Sequence, residues 1–218
     1  MRPISDYDLY IFDCDGVILD SNQLKIDAME RALQSLSFDQ DKVSQCVTYF
    51  SENFGMSRFY HVEYFIDNFL SLKESQVESV KESILKSFSA ECKKLYIKAE
   101  ITPYFIEFIT SLNGRKFVAS GSEQAELREV FKMRGLDKYF VDVFGSPTKK
   151  EDLVANILSN QKEAKAVMFG DAISDLQAAK NNDIDFIAYI PFSNVKKELS
   201  DLSIVNGYKM IETWSEVL

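Results

Sequence analysis

Asp13 and Asp15 stand two residues apart in YIFDCDGVILDSN, after an apolar run and before Gly16. Aspartate is a poor strand former, and two carboxylates this close raise the cost of ionising each other. On an extended chain residues i and i+2 point the same way, so both acids can face one site. Gly16 lets the backbone turn tightly and lets a ligand approach. The stretch VMFGDAISD repeats the arrangement: an apolar run, Gly170, Asp171, and then Asp175 at a helix start. Turn hydrogen bonds or helix capping account for any one of these acids, and less well for two sets after two apolar strands. Three or four carboxylate oxygens from two strand ends suit a hard divalent cation. Mg2+ in particular takes a few carboxylate oxygens and keeps places for water or substrate oxygen.

Two further stretches point the same way. In FVASGSEQ, Ser120 follows another strand. Ser120 and Glu123 fit a capping box, with Ser122 as the alternative cap. A hydroxyl beside free helix N–H groups also makes an anion site. In GSPTKKED, Thr148 and Glu151 again stand at capping-box spacing. Lys149 and Lys150 then fall in a first helical turn, where positive charge opposes the helix dipole. Taken alone they read as solvated lysines. Beside three strand-end aspartates, one of them reads as a cation held to neutralise carboxylates and a phosphoryl group.

The elements that must position these residues alternate. LYIF, KFVAS, VDVFGS, AVMFGD and DFIAYI read as strands, with EQAELREVFKMRG, EDLVANILSN and DLQAAKNN as helices between the later ones. Such alternation predicts right-handed crossovers and a doubly wound parallel sheet covered on both faces, an α/β fold. Thr102-Pro103 reads as a helix cap followed by proline. SIVNGYKMIETW reads as an edge strand, a turn at Asn206-Gly207 and a closing helix. Residues 20–99 carry helical patterns and no strand. Ser21 is placed to cap the first helix. Ile26, Met29, Leu33 and Leu36 make one apolar stripe, and Val77, Val80, Ile84, Phe88, Cys92 and Leu95 another. The expected organisation is a core of residues 1–19 and 100–218 with an inserted helical cap, 20–99. An insertion after the first strand emerges where ligands bind in open parallel sheets, so the cap is placed as a lid.

At these residues the chain resembles the haloacid dehalogenase superfamily in its phosphatase branch, and is similar to phosphoglycolate phosphatases and β-phosphoglucomutases. DCDGV, VASGS, GSPTKK and GDAISD carry the resemblance, in order. It implies Asp13 as the nucleophile that takes the phosphoryl group. Asp15 would be the general acid and then the base, with a raised pKa, and its carbonyl would bind Mg2+. Ser120 would hold the phosphoryl group, helped by a lysine; the spacing after GSP favours Lys150, with Lys149 the rival. Asp13, Asp15, Asp171 and Asp175 would make the Mg2+ site. The second aspartate, Asp15, argues against dehalogenation. Val17 stands where many members have threonine, and no proline follows either lysine.

Composition bounds the function. The 218 residues are 46% hydrophobic and 27% charged, with a net charge of −9. That balance fits a globular chain and argues against a nucleic-acid partner, which needs a basic face. Three scattered cysteines give neither a zinc pattern nor a disulfide framework. The start MRPISDYD lacks a signal-peptide core, and no apolar run has membrane-spanning length, so the expectation is a cytoplasmic protein with no membrane partner. Substrate choice is expected from the cap, with Asn22, Lys25, Arg58 and His61 as candidates, and from Gly16, Gly121 and Lys149; for His61 a hydrogen-bonded structural role is favoured over catalysis. The leading function is a Mg2+-dependent phosphatase of a small phosphorylated metabolite, such as a sugar phosphate. A phosphomutase and a non-catalytic binding module are the alternatives.

Overall fold

The computed structural model describes residues 2–159 and 163–218. Strand β1 (Leu9–Phe12) is buried at all four residues, as an apolar run inside a parallel sheet must be. Its side chains leave on alternate faces. Leu9 and Ile11 join one apolar cluster, Tyr10 and Phe12 the other. The chain turns at Gly16 and enters the insertion through β2 (Leu19–Asp20). Helices α1 (Asn22–Gln34), α2 (Gln40–Glu52), α3 (Arg58–Phe65) and α4 (Glu74–Lys98) follow, with a π-helical turn at Ile66–Leu70. The chain returns along β3 (Glu100–Ile101), which pairs antiparallel with β2 and so ties the two ends of the cap together. Met29, Leu33, Ile84, Phe88 and Cys92 bury the expected stripes against Phe50, Val62 and Phe65. Ile26, Leu36, Val77, Val80 and Leu95 lie half-buried at the margins.

The core resumes with α5 (Phe105–Ser111), β4 (Arg115–Glu123), α6 (Gln124–Met133), β5 (Asp142–Ser146) and α7 (Lys150–Ser159). It ends with β6 (Ala166–Gly170), α8 (Ile173–Asn181), β7 (Asp185–Tyr189), α9 (Lys196–Asn206) and β8 (Lys209–Ile211). The sheet order is β5-β4-β1-β6-β7-β8, and every neighbouring pair is parallel. Phe105, Phe108, Leu127 and Phe131 of α5 and α6 cover the Tyr10 and Phe12 face. Leu153, Val154, Leu176 and Leu199 of α7, α8 and α9 cover the other. This is the doubly wound sheet expected. β1 lies between β4 and β6, so the C-terminal ends of three adjacent strands deliver Asp13, Ser120 and Asp171 to one place, where such sheets bind ligands.

Four local readings are corrected. Thr102 does not cap α5. Its hydroxyl donates to the carbonyl of Val17 at 2.6 Å and accepts from the indole N–H of Trp214 at 3.0 Å. The α6 cap is Glu123, whose carboxylate accepts from the N–H groups of Ala125 and Glu126. β4 extends through Ser120 and Ser122, so neither is at the helix start. At the C-terminus, residues 203–206 continue α9, Gly207 ends it at φ +71°, and β8 follows. The chain closes in a 3-10 turn at Trp214–Val217 rather than an α-helix. The last residue of the EDLVANILSN helix, Asn160, lies outside the described residues.

Candidate active site

Asp13 sits one residue past β1, Asp171 one past β6, and Asp175 in the first turn of α8. All three are buried, with oxygens within 4.8 Å of one another. Asp175 is occupied by its own scaffold. One oxygen accepts from the N–H groups of Asp171 and Ala172, at 3.2 and 3.0 Å. The other accepts from Lys150. Lys150 opens α7 and is buried, and its ammonium lies 3.2 Å from Asp13 Oδ1. Lys149 is exposed, so the cation at the acids is Lys150. Asn22 reaches in from the cap and donates to Asp171 Oδ2 at 2.6 Å and to the carbonyl of Phe192 at 2.9 Å. It therefore braces the acid cluster through its Nδ2, while its buried Oδ1 has no hydrogen-bond partner among the described residues.

Three buried carboxylates share one ammonium here. Burial pushes the Asp13 carboxyl up to about 7, against the pull of Lys150 and with help from Asp175 and Asp15. Burial, then the charges of Asp13 and Asp175, push Asp171 well above the usual carboxylate range. Asp171 Oδ1 is buried and has no hydrogen-bond partner among the described residues. Crowded, dry, oxygen-only donors of this kind fit a hard divalent cation. A carboxyl whose pKa rises on folding adds stability below its unfolded pKa, and that stability is lost as pH rises through the folded value. In metal-free protein, Asp13→Asn is therefore expected to be nearly neutral at about pH 4. It should become increasingly stabilising as pH rises through about 7. Melting temperatures of both proteins across that range, in a chelator, check this; a difference independent of pH contradicts it.

Asp15 does not join the cluster. Its carboxylate accepts from Ser21 Oγ at 2.6 Å, Lys25 Nζ at 2.9 Å, Ser122 Oγ at 2.8 Å and the Tyr96 hydroxyl at 2.9 and 3.0 Å. Burial works to raise its pKa, but the Lys25 charge and the hydrogen bonds from Lys25, Ser21 and Ser122 outweigh burial and lower it. The raised pKa expected of Asp15 is thus corrected, and its side chain is not a metal ligand in this arrangement. Ser21 does stand at the N-cap of α1, but its hydroxyl goes to Asp15 and not to a helix N–H. Tyr96 was not singled out from sequence, and Ser122 only as an alternative helix cap. Tyr96 continues the Phe88 and Cys92 spacing by four, which was the available signal.

Ser120 is buried beside Asp13 and accepts from the Ser122 N–H at 3.2 Å, which leaves its own O–H free to donate. Gly16 has φ +74°, and a Cβ there would overlap Asp171 Oδ2 and Asn22 Nδ2. A Cβ on Gly121 would overlap the carbonyl oxygen of Gly55 and lie 2.8 Å from that of Met56. The cap loop thus rests backbone to backbone on the core. Arg58, expected at the substrate, is instead held by Glu126 of α6. Its two terminal nitrogens donate to the two carboxylate oxygens at 3.0 and 2.7 Å, and Ser89 donates to the same carboxylate. The space directly over the acids is about 10 Å³, lined by Asp13, Asp15, Lys25, His61, Ser120 and Gly121 among others, while wider openings between cap and core lie beside it at Tyr60 and Ser174. The space over the acids is roughly the room one water needs.

A family model described as haloacid dehalogenase-like hydrolase matches residues 7–183. The chain belongs to the haloacid dehalogenase-like hydrolase family. It is 26% identical over 195 residues to a phosphoglycolate phosphatase of Vibrio parahaemolyticus, covering 81% of this chain and 80% of that one. Among solved structures it is similar to a predicted phosphatase from Clostridium acetobutylicum, at 17% identity and a TM-score of 0.75, over 97% and 96% of the two chains. It is also similar to a predicted phosphoglycolate phosphatase from Haemophilus somnus, at 14% identity and a TM-score of 0.74, again over 97% and 96%. No helix among the described residues is long and apolar enough to cross a membrane.

Proposed function

We propose that this protein is a Mg2+-dependent phosphatase that hydrolyses a small phosphomonoester through an aspartyl-phosphate on Asp13. The observation that carries the reading is the buried set of Asp13, Asp171 and Asp175 around one ammonium, Lys150. Asp13 and Asp171 would hold the metal, with Asp175 fixing the backbone behind them. When bound, the metal neutralises charge on the nucleophile and the phosphoryl oxygens.

In the first step an Asp13 oxygen attacks phosphorus and the bond to the leaving oxygen breaks. Asp15 gives that oxygen a proton. In the second step water attacks phosphorus, Asp15 takes the water's proton, and Asp13 is freed. Lys150 and the Ser120 hydroxyl stabilise the transferring group, since phosphoryl transfer asks mainly for positioning and charge stabilisation. Asp15 is ionised in the arrangement described, the form needed for the second step. It must gain a proton on leaving the cradle of Ser21, Lys25, Tyr96 and Ser122 to serve the first.

Lys25 therefore sets the proton affinity of Asp15. Lys25→Met is expected to move the acid limb of the kcat profile upward, because the charge that lowers the Asp15 pKa is gone. A limb that stays in place contradicts this.

The reading is tested by phosphate release from a panel of monoesters with and without Mg2+. 2-Phosphoglycolate goes first, because the Vibrio relative is a phosphoglycolate phosphatase. Release that requires the metal supports the proposal; release from no ester overturns it. A phosphomutase is the second reading, favoured by the small space over Asp13, Asp15 and Ser120, about 10 Å³, which leaves room for about one water. Isomerised sugar phosphate in the same samples would establish it.

A further inference from the structure

His61 is the chain's one histidine. It lies on α3 with 1% of its surface exposed, and neither ring nitrogen has a hydrogen-bond partner among the described residues. The sequence placed His61 among the candidates for substrate choice and favoured a hydrogen-bonded structural role over catalysis; the hydrogen-bonded role is corrected. Buried polar side chains are nearly always paired, and an exception needs a reason. Packing does not supply one. The ring sits among Phe50, Tyr60 and Phe65, at centroid distances of 4.6, 5.8 and 6.1 Å, and a phenylalanine would serve there as well.

What distinguishes the position is that His61 lines the small cavity over Asp13, Asp15 and Ser120. Burial, and then the neighbouring Lys25 ammonium, hold its pKa down at about 3. The ring is therefore neutral at working pH, with one donor and one acceptor. A neutral ring is no second cation for a phosphoryl group. It does suit an uncharged or carboxylate oxygen.

We propose that His61 is a specificity-determining residue, whose ring nitrogen bonds an oxygen on the organic part of the substrate. The inference rests on the phosphatase reading and narrows it. The core side of the cavity supplies the phosphoryl contacts, Asp13, Lys150 and Ser120. His61 comes from the cap, the opposite wall. A ligand that meets both must carry its second polar group a few atoms from phosphorus, as a hydroxyl or a carboxylate. The class is a short, oxygenated phosphomonoester.

The single histidine makes the test unambiguous, because its ring gives one set of magnetic resonance signals. Asp13→Asn protein, which does not turn over, is labelled at histidine nitrogen and titrated in Mg2+. The probes are 2-phosphoglycolate and glycerol 3-phosphate, their oxygen-poor counterparts ethyl phosphate and propyl phosphate, and inorganic phosphate. The ring nitrogen signal should move with an oxygenated ester and stay with the other three. In active enzyme, His61→Phe should lower kcat/KM for that ester about tenfold. It should leave ethyl and propyl phosphate within about threefold. A signal that no ester moves, or that ethyl phosphate moves equally, overturns the assignment. So does a His61→Phe effect equal on all substrates. Phosphate release with a still signal would remove the His61 assignment alone. A moving signal in a protein that releases no phosphate would remove the phosphatase reading alone.

Discussion

Asp13→Asn is expected to lower phosphate release by about four orders of magnitude or more, the scale seen when a covalent nucleophile is removed. An amide oxygen carries no charge and is a poor nucleophile, so the first step has no substitute. The loss should appear in kcat, because Lys150, Ser120 and the remaining acids still bind the phosphoryl group. The variant should also remain folded, since it removes one charge from three buried carboxylates within 4.8 Å. Single-turnover phosphate release on each protein, with melting curves alongside, checks both parts. A fall of less than about tenfold would mean that another group carries the phosphoryl, or that water attacks directly.

Glu126→Ala is expected to cost about 3–5 kcal/mol of stability, the usual price of breaking a buried ion pair by removing one partner. Arg58 and Glu126 are 5% and 7% exposed, and the pair joins cap helix α3 to core helix α6. Arginine does not shed its proton when stranded, so the guanidinium would stay charged in a dry site over the Phe88 ring, 5.1 Å away. Replacing both partners with apolar groups of similar size, as in Arg58→Met with Glu126→Leu, should recover most of the loss. Urea unfolding of the unchanged protein and the two variants measures it. A Glu126→Ala cost below about 1 kcal/mol would place the pair with solvent-screened surface bridges.

What was legible in sequence was local. An apolar run that ends in an aspartate with a glycine close by marks the end of a buried strand, so Asp13 and Asp171 stood out. So did the alternation that makes the parallel sheet. Lys150 was favoured over Lys149 by its spacing after GSP alone, because which of two neighbours turns inward depends on the direction in which a helix starts. Asp15 was legible as a site residue but not in its surroundings. Ser21, Lys25, Tyr96 and Ser122 come from α1, α4 and β4, and no spacing rule links segments so far apart. Arg58 failed for the same reason, since its partner Glu126 lies 68 residues on. The C-terminal strip failed on propensity. Ile204 and Val205 read as strand formers, yet they sit on the free face of α9, 65% and 80% exposed, while Leu199 and Ser203 face inward. His61 was legible as the lone histidine; its missing partners became visible only with α3 seated over the strand ends.

The central claim is that the phosphoryl group passes through Asp13. The most direct measurement uses Asp15→Asn protein, in which nothing takes the proton from the attacking water. It is mixed with Mg2+ and p-nitrophenyl phosphate, whose leaving oxygen needs no acid, and is quenched in acid within the first turnover. Mass spectrometry should then find one phosphoryl group on the peptide that holds Asp13, removed by hydroxylamine as an acyl phosphate is. A burst of p-nitrophenol with unmodified Asp13, or with the phosphoryl group on another residue, would contradict the account.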